Sequence, residues 1–305
     1  MTRSKNWVKL KMHQKTKGQK ERRSMYSKNE ELREAVRRKK VLVAAHRGTC
    51  GGSVVQNTIL SYQNALLHGA DMIEVDVSMT IDGVFFAFHN GEEPVELGIK
   101  RDIREMTAAE VESKKTLNSL QEYVGQKVER LDRVLEQFRG KCFINIDRSW
   151  FYWEKIIPFL KAKGMDAQIL LKSGVHERLL SELAESGTGL MYMPIVKSAE
   201  EWETVKKYHV NVAAAELIFS DMNGQFTDPA FLKELLGEGI LPWVNVIRLN
   251  DETVLSGGLD DNLAIGEGFD KSWGRLIDLG YKILQTDWPA LLRNYVDEKL
   301  QHEQQ

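Results

Sequence analysis

The sequence predicts an α/β protein of the (β/α)8, or TIM-barrel, class. Three observations carry that reading. Short apolar runs recur at 41–45, 72–77, 141–146, 168–172, 190–195, 210–215, 240–246 and 282–285, which supplies the eight strands such a barrel needs. Helical patterns alternate with them, punctuated by Gly164, Gly187, Gly239 and Gly280 as left-handed caps punctuate helix ends. Polar residues able to do chemistry stand at the ends of the first runs, where a barrel keeps its active site.

Length and composition agree. The 305 residues suit one α/β barrel or two small domains, and 42% hydrophobic with 28% charged residues is ordinary for a globular chain. No apolar run approaches the roughly 18 residues of a membrane span, and the first residues contain no apolar leader core. Cys50 and Cys142 make neither a disulfide framework nor a metal-ligand spacing, so a reduced, cytoplasmic setting is expected. The net charge of −2 hides an asymmetry, because residues 1–40 hold 15 Lys and Arg against 4 acidic residues. This basic extension is expected to be solvated and partly helical, with a helix over 30–37 leading into the first strand. Docking on the acidic body and weak contact with an anionic membrane surface are the alternatives. Nucleic acid is not an expected partner, since aromatic and basic residues do not interleave.

The elements follow in order. Residues 41–45 are apolar throughout, as a strand buried on both faces requires. After a Gly/Ser/Thr loop, Asn57 or Thr58 caps a helix whose apolar face uses Ile59, Tyr62, Leu66 and Leu67. The second strand, 72–77, meets a tight turn at Thr80-Ile81-Asp82-Gly83. So short a connection cannot make a parallel crossover, so the run 84–89 folds back antiparallel. A polar stretch at 91–130, with a capping box at Thr107 and Glu110, reads as a short insertion. Helices are then expected at 131–138, 176–185, 199–208, 229–236, 271–279 and 288–298. The barrel domain thus spans 41–295, followed by a polar tail at 296–305.

Glu74 and Asp76 lie two apart on a strand and share a face. Two buried carboxylates side by side repel unless a cation or a shared proton compensates. Hard oxygen donors favour Mg2+ or Ca2+ over Zn2+. Asp147, ending another strand run, is a candidate third ligand, although a helix N-cap or an ion pair with Arg148 also fits it. His46 and His89 both end apolar runs, and two such histidines beside paired carboxylates point to acid–base catalysis. Arg47 is suited to bidentate phosphate binding.

These residues carry a resemblance. His46-Arg47-Gly48, Gln56-Asn57-Thr58, the run from Gly69 to Val77, Thr80-Ile81-Asp82-Gly83, His89 and Thr286-Asp287-Trp288-Pro289 resemble the glycerophosphodiester phosphodiesterase family over 41–295. The resemblance implies a TIM-barrel phosphodiesterase with one divalent cation, Mg2+ favoured and Ca2+ possible. It implies His46 and His89 as acid and base, Glu74, Asp76 and Asp147 as metal ligands, and Arg47 on the phosphate. Attack by a neighbouring substrate hydroxyl, through a cyclic phosphate, is the implied route. Three positions depart from the family pattern. Gln56 stands for the usual Glu, Asn90 for the Asp after the second His, and Ser149 for a Lys two residues past the third carboxylate.

Lys172 is the nearest replacement for that cation. Glu216 is a candidate contact for a polar head group. Trp243 and Asn245 share a strand face and are candidates for the substrate side. The run Trp150-Phe151-Tyr152-Trp153 is either an apolar substrate wall or a buried helix start. Three functions compete: hydrolysis of a glycerophosphodiester, a phospholipase D-like activity on lysophospholipid or sphingolipid, and a catalytically weak binding protein on the same scaffold.

Overall fold

A computed structural model of the chain describes residues 29–302. Its centre is a barrel of eight parallel strands. These are β1 (Leu42–Ala45), β2 (Met72–Met79), β3 (Phe143–Asp147), β4 (Ile169–Gly174), β5 (Met191–Val196), β6 (Ala214–Leu217), β7 (Leu241–Asn245) and β8 (Ile283–Thr286). Each pairs with the next, and β1 pairs with both β2 (Ala44 to Met72) and β8 (Leu42 to Ile283), which closes the sheet. The helices Ile59–Leu67, Leu131–Phe138, Trp153–Lys163, Glu177–Glu185, Ala199–Lys206, Pro229–Gly237, Trp273–Leu279 and Pro289–His302 complete the eight units. The strands read as continuous apolar runs because one face meets these helices and the other fills the lumen.

The lumen has two levels. At the N-terminal ends of the strands Leu42, Met72, Leu170, Met191, Leu241, Trp243 and Ile283 form an apolar floor. The helix Glu30–Lys39 closes that end with Leu32, Ala35 and Val36. Asn29, just ahead of it, and Asn211 exchange side-chain hydrogen bonds of 3.0 and 2.9 Å. This helix was expected from 30–37; the other residues of the basic extension, 1–28, lie outside the described residues. The polar residues are left for the opposite, C-terminal mouth.

The turn after β2 works as read. Gly83 has φ +82°, which suits glycine, and its N–H donates to the Thr80 carbonyl at 2.9 Å. The chain returns as Phe85–Ala87, antiparallel to β2 with Val77 opposite Ala87. The insertion holds the short helices Glu93–Glu96 and Ala108–Glu112, the latter with the expected Thr107/Glu110 capping box. It has a core of its own, built on Phe86, Phe88, Leu97, Ile103, Met106 and Val111.

Several boundaries differ from expectation, two of them by more than two residues. The sixth strand is Ala214–Leu217 rather than 210–215, so Glu216 lies within it. The last helix runs to His302 through the stretch 296–302, read as a polar tail, because Val296 is buried and Lys299 pairs with Asp278 at 2.9 Å. Among the described residues no helix is long and apolar enough to cross a membrane.

Candidate active site

The alternation of β2 turns Glu74 and Asp76 into the C-terminal mouth, and β3, in register beside it, sets Asp147 opposite Asp76. Ligand oxygens of Glu74, Asp76 and Asp147 all lie within 4.8 Å of one another. Burial first, and then Asp76 and Asp147, push the Glu74 carboxyl well above its ordinary range. Burial would raise Asp147 too, but Lys172, with Nζ 2.7 Å away, holds that carboxyl down. Three hard oxygen donors that repel one another in a buried cluster fit a divalent cation.

Around the trio the backbone is bent to present side chains. Arg47, Asn57 and Arg148 have φ of +55°, +54° and +56°, a left-handed conformation that costs a non-glycine residue on the order of 1 kcal/mol. Arg47 donates its backbone N–H to Glu74 at 2.9 Å and sets Nε 3.2 Å from Asp76. Its Nη1 donates to Glu92 of the insertion at 3.3 Å. Asn57 donates to Asp76 at 2.9 Å, accepts the Asp76 N–H at 3.2 Å, and is itself fixed by the Tyr62 hydroxyl at 2.8 Å. The first half of the resemblance motif is thus a brace for one carboxylate.

His46 Nδ1 lies 2.8 Å from the Asp287 carboxylate, which leaves Nε2 as the ring nitrogen free of that contact. His89 Nδ1 is buried without a hydrogen-bond partner. Burial, with Arg47 and Arg148 nearby, keeps the His89 ring more readily neutral than usual. Both histidines line one cavity of about 430 Å³ with Arg47, the three carboxylates, Lys172 and Glu216.

Lys172 is fully enclosed between Asp147 and Glu216, 2.7 and 3.1 Å away. Burial alone would favour its neutral form, but these carboxylates outweigh that and raise its affinity for the proton. Glu216 accepts from Asn245 at 2.9 Å, so it is a wall of the cavity rather than a rim residue. Trp243 is the one expected substrate-side residue that does not arrive. It is completely buried in the apolar floor and donates to Asn245 at 2.7 Å, one level below the cavity. Of the aromatic run, Trp150 lines the cavity, while Trp153 is core.

Several contributors escaped sequence reading. Asp287 belongs to the terminal Thr-Asp motif, but its contact with His46 does not follow from spacing. Asp261 accepts from Trp273 at 3.0 Å, from Thr286 at 2.9 Å and from the Asp287 N–H at 3.0 Å, and so anchors that motif. Burial pushes its carboxyl up to about 7. Glu92 and Glu96 enter from the insertion, and Glu96 accepts from Gln56, where the family pattern has a glutamate. Burial raises Glu96 to about 8. Short polar insertions give no signal of such contacts.

Comparison with known proteins decides the family. Residues 46–217 match the glycerophosphoryl diester phosphodiesterase family, which covers more than half of the chain. The chain belongs to this family. Phosphodiester hydrolysis is accordingly its class of activity. Residues 192–296 also match a family described only as a domain of unknown function. A glycerophosphodiester phosphodiesterase of Bacillus subtilis (strain 168) is 28% identical over 226 residues, covering 70% of this chain and 72% of the relative. A Parabacteroides distasonis glycerophosphoryl diester phosphodiesterase superposes with TM-score 0.69 at 15% identity, over 85% of this chain and 87% of that one. An Oleispira antarctica phosphodiesterase in complex with the product sn-glycerol-3-phosphate gives 0.60 at 19% identity, over 84% and 96%. At these identities the structural likeness speaks for the barrel alone.

Proposed function

We propose that this family member hydrolyses a glycerophosphodiester to glycerol phosphate and an alcohol, with His46 and His89 as acid and base. The observation that carries the reading is one cavity holding both histidines, Arg47 and the acidic trio. Glu74, Asp76 and Asp147 would hold one divalent cation, and their all-carboxylate donor set suits a hard ion, Mg2+ or Ca2+. When bound, that cation supplies Lewis-acid stabilisation of phosphoryl charge.

The side chains divide the remaining work. Arg47 orients the phosphodiester. One histidine takes the proton of the substrate hydroxyl beside the bridging oxygen, whose oxygen then bonds to phosphorus. The other histidine gives a proton to the departing alcohol oxygen as its bond to phosphorus breaks. Water adds to the resulting cyclic phosphate by the reverse transfers. Asp287 orients His46 for its share, and Lys172 keeps Asp147 ionised and holds both Asp147 and Glu216 in place.

The test is turnover of bis(p-nitrophenyl) phosphate and of glycerophosphocholine with and without EDTA. Loss of turnover in EDTA, restored by Mg2+ or Ca2+, is expected, together with a loss of at least about 10²-fold in His46→Ala. Full activity in EDTA or in that variant contradicts the proposal.

A second reading has an observation behind it. Part of the cavity lining is apolar, contributed by Trp150, Ile195, Ile218, Ile247, Val254 and Leu255. Such a lining favours a substrate with an apolar portion, as in phospholipase D-like cleavage of a lysophospholipid. A higher kcat/KM on lysophosphatidylcholine than on glycerophosphocholine supports it, and the opposite ratio removes it.

A further inference from the structure

Arg148 follows the third carboxylate directly. Its left-handed backbone, φ +56°, bends the chain at the end of β3 into the short helical turn Ser149–Tyr152. This turns the Arg148 side chain over the mouth, where it lines the cavity together with His89, Asp147 and Trp150. Nε and Nη2 donate to Asn90 Oδ1 at 3.0 and 2.8 Å.

Two other cations of the cavity, Arg47 and Lys172, are already compensated. Arg47 lies against Asp76 and Glu92, and Lys172 against Asp147 and Glu216. Arg148 is held by a neutral amide, and among the described residues no carboxylate oxygen lies within 4.0 Å of its guanidinium. A guanidinium carries five N–H donors, so its contacts with Asn90 leave three for a ligand. Two of the three departures from the family pattern therefore bear on Arg148, which Asn90 holds and Ser149 follows in the chain. Asn90, in place of an aspartate, positions Arg148 without neutralising it, and Ser149 leaves a cation wanting one residue further on.

We propose that Arg148 is a second phosphate-binding residue of this cavity, held by Asn90 as its positioning residue, and that it supplies the cation missing at Ser149. It rests on the phosphodiesterase reading for its ligand, a phosphoryl oxyanion. Planar N–H donors aimed at phosphoryl oxygens suit both the diester and the more highly charged state formed during displacement.

The experiment compares Arg148→Gly, Arg148→Lys and Asn90→Asp with the parent, all saturated with Mg2+. Glycine is at home at φ +56°, so Arg148→Gly removes the guanidinium while keeping the turn, and its melting temperature is expected at or above the parent's. Calorimetric titration with sn-glycerol 3-phosphate is expected to show at least tenfold weaker binding in Arg148→Gly. Asn90→Asp should weaken it comparably by neutralising the guanidinium, and Arg148→Lys should recover part of the loss. Mg2+ affinity, titrated separately, should stay within about twofold, which excludes damage to Asp147 as the cause. Turnover of bis(p-nitrophenyl) phosphate should fall by about 10²-fold in Arg148→Gly. Equal glycerol phosphate binding in parent and Arg148→Gly, or none in the parent, overturns the inference. A parent that binds glycerol phosphate through Arg148 but hydrolyses no diester upholds the inference and removes the catalytic reading instead.

Discussion

His46 is oriented by Asp287, a residue 241 positions further along the chain, and Asp287 is in turn held through its N–H by Asp261. A histidine that shuttles protons through Nε2 needs the other nitrogen fixed, and a carboxylate both fixes it and compensates the charged ring. Asp287→Asn keeps the shape and removes the charge. We expect kcat on bis(p-nitrophenyl) phosphate to fall by about 10–10²-fold, with KM little changed. Steady-state kinetics checks this, and an unchanged kcat means that His46 transfers no proton in the limiting step. The sequence shows both ends of this contact as motifs, but a pairing across the barrel depends on which strands close it. The same holds for Arg148 and Asn90, 58 residues apart. Trp243 shows the complementary limit. The two-residue period correctly puts it on the face of Asn245, yet period says nothing of depth, and the larger, apolar partner sits on the floor.

At the scale of elements, the eight strand runs were legible because a parallel strand buried on both faces must be apolar throughout. The sixth was placed too early for an instructive reason. Val210 and Val212 extend the apolar run backwards, while Glu216 reads as a strand end. The carboxyl is tolerated inside the strand because Lys172 and Asn245 partner it. The helix Glu30–Lys39 was legible as a helix but not as the plug of the barrel floor. Leu32, with no exposure, is its central contact. Leu32→Ala should cost about 3 kcal/mol of stability in urea denaturation and leave kcat/KM at its parent value, since the active site lies at the other end of the barrel. A loss of activity without loss of stability contradicts that separation. The insertion makes a pH-dependent contribution through Glu96. Its carboxyl, raised to about 8 in the folded chain from an unfolded value near 4.5, binds a proton in the native state that the unfolded state has released. Stability from this group is therefore full below about pH 4.5 and declines as pH rises towards 8. Glu96→Gln keeps an acceptor for Gln56 and removes the titration. Relative to the parent it should be more stable at pH 8 by on the order of 2–4 kcal/mol, with the difference vanishing near pH 4.5. Thermal melts of both proteins across that range check it, and parallel curves remove Glu96 as the cause.

At the scale of the molecule, the barrel is closed by apolar side chains at one end and gathers its acidic trio at the other. The folded chain must keep Glu74, Asp76 and Asp147 together, within 4.8 Å between ligand oxygens, whereas the unfolded chain need not. A cation that binds this trio binds the native state only and stabilises it by mass action. At a concentration 100 times its dissociation constant the gain is about 2.7 kcal/mol, which for a domain of this size raises Tm by roughly 5 °C. Mg2+ or Ca2+ should produce that rise, EDTA should reverse it, and Glu74→Gln should abolish most of it. Protons compete with the cation for the same oxygens, and the Glu74 carboxyl, raised by burial and by its two neighbours, takes up a proton more readily than an ordinary carboxylate. The increment must therefore shrink as pH falls from 8 towards 5, opposite in sense to the Glu96 effect, which stabilises the chain over that interval. Scanning calorimetry at both pH values, with and without the cation, separates the two contributions. A cation-induced rise that survives in Glu74→Gln, or that grows on acidification, places the ion elsewhere on the molecule.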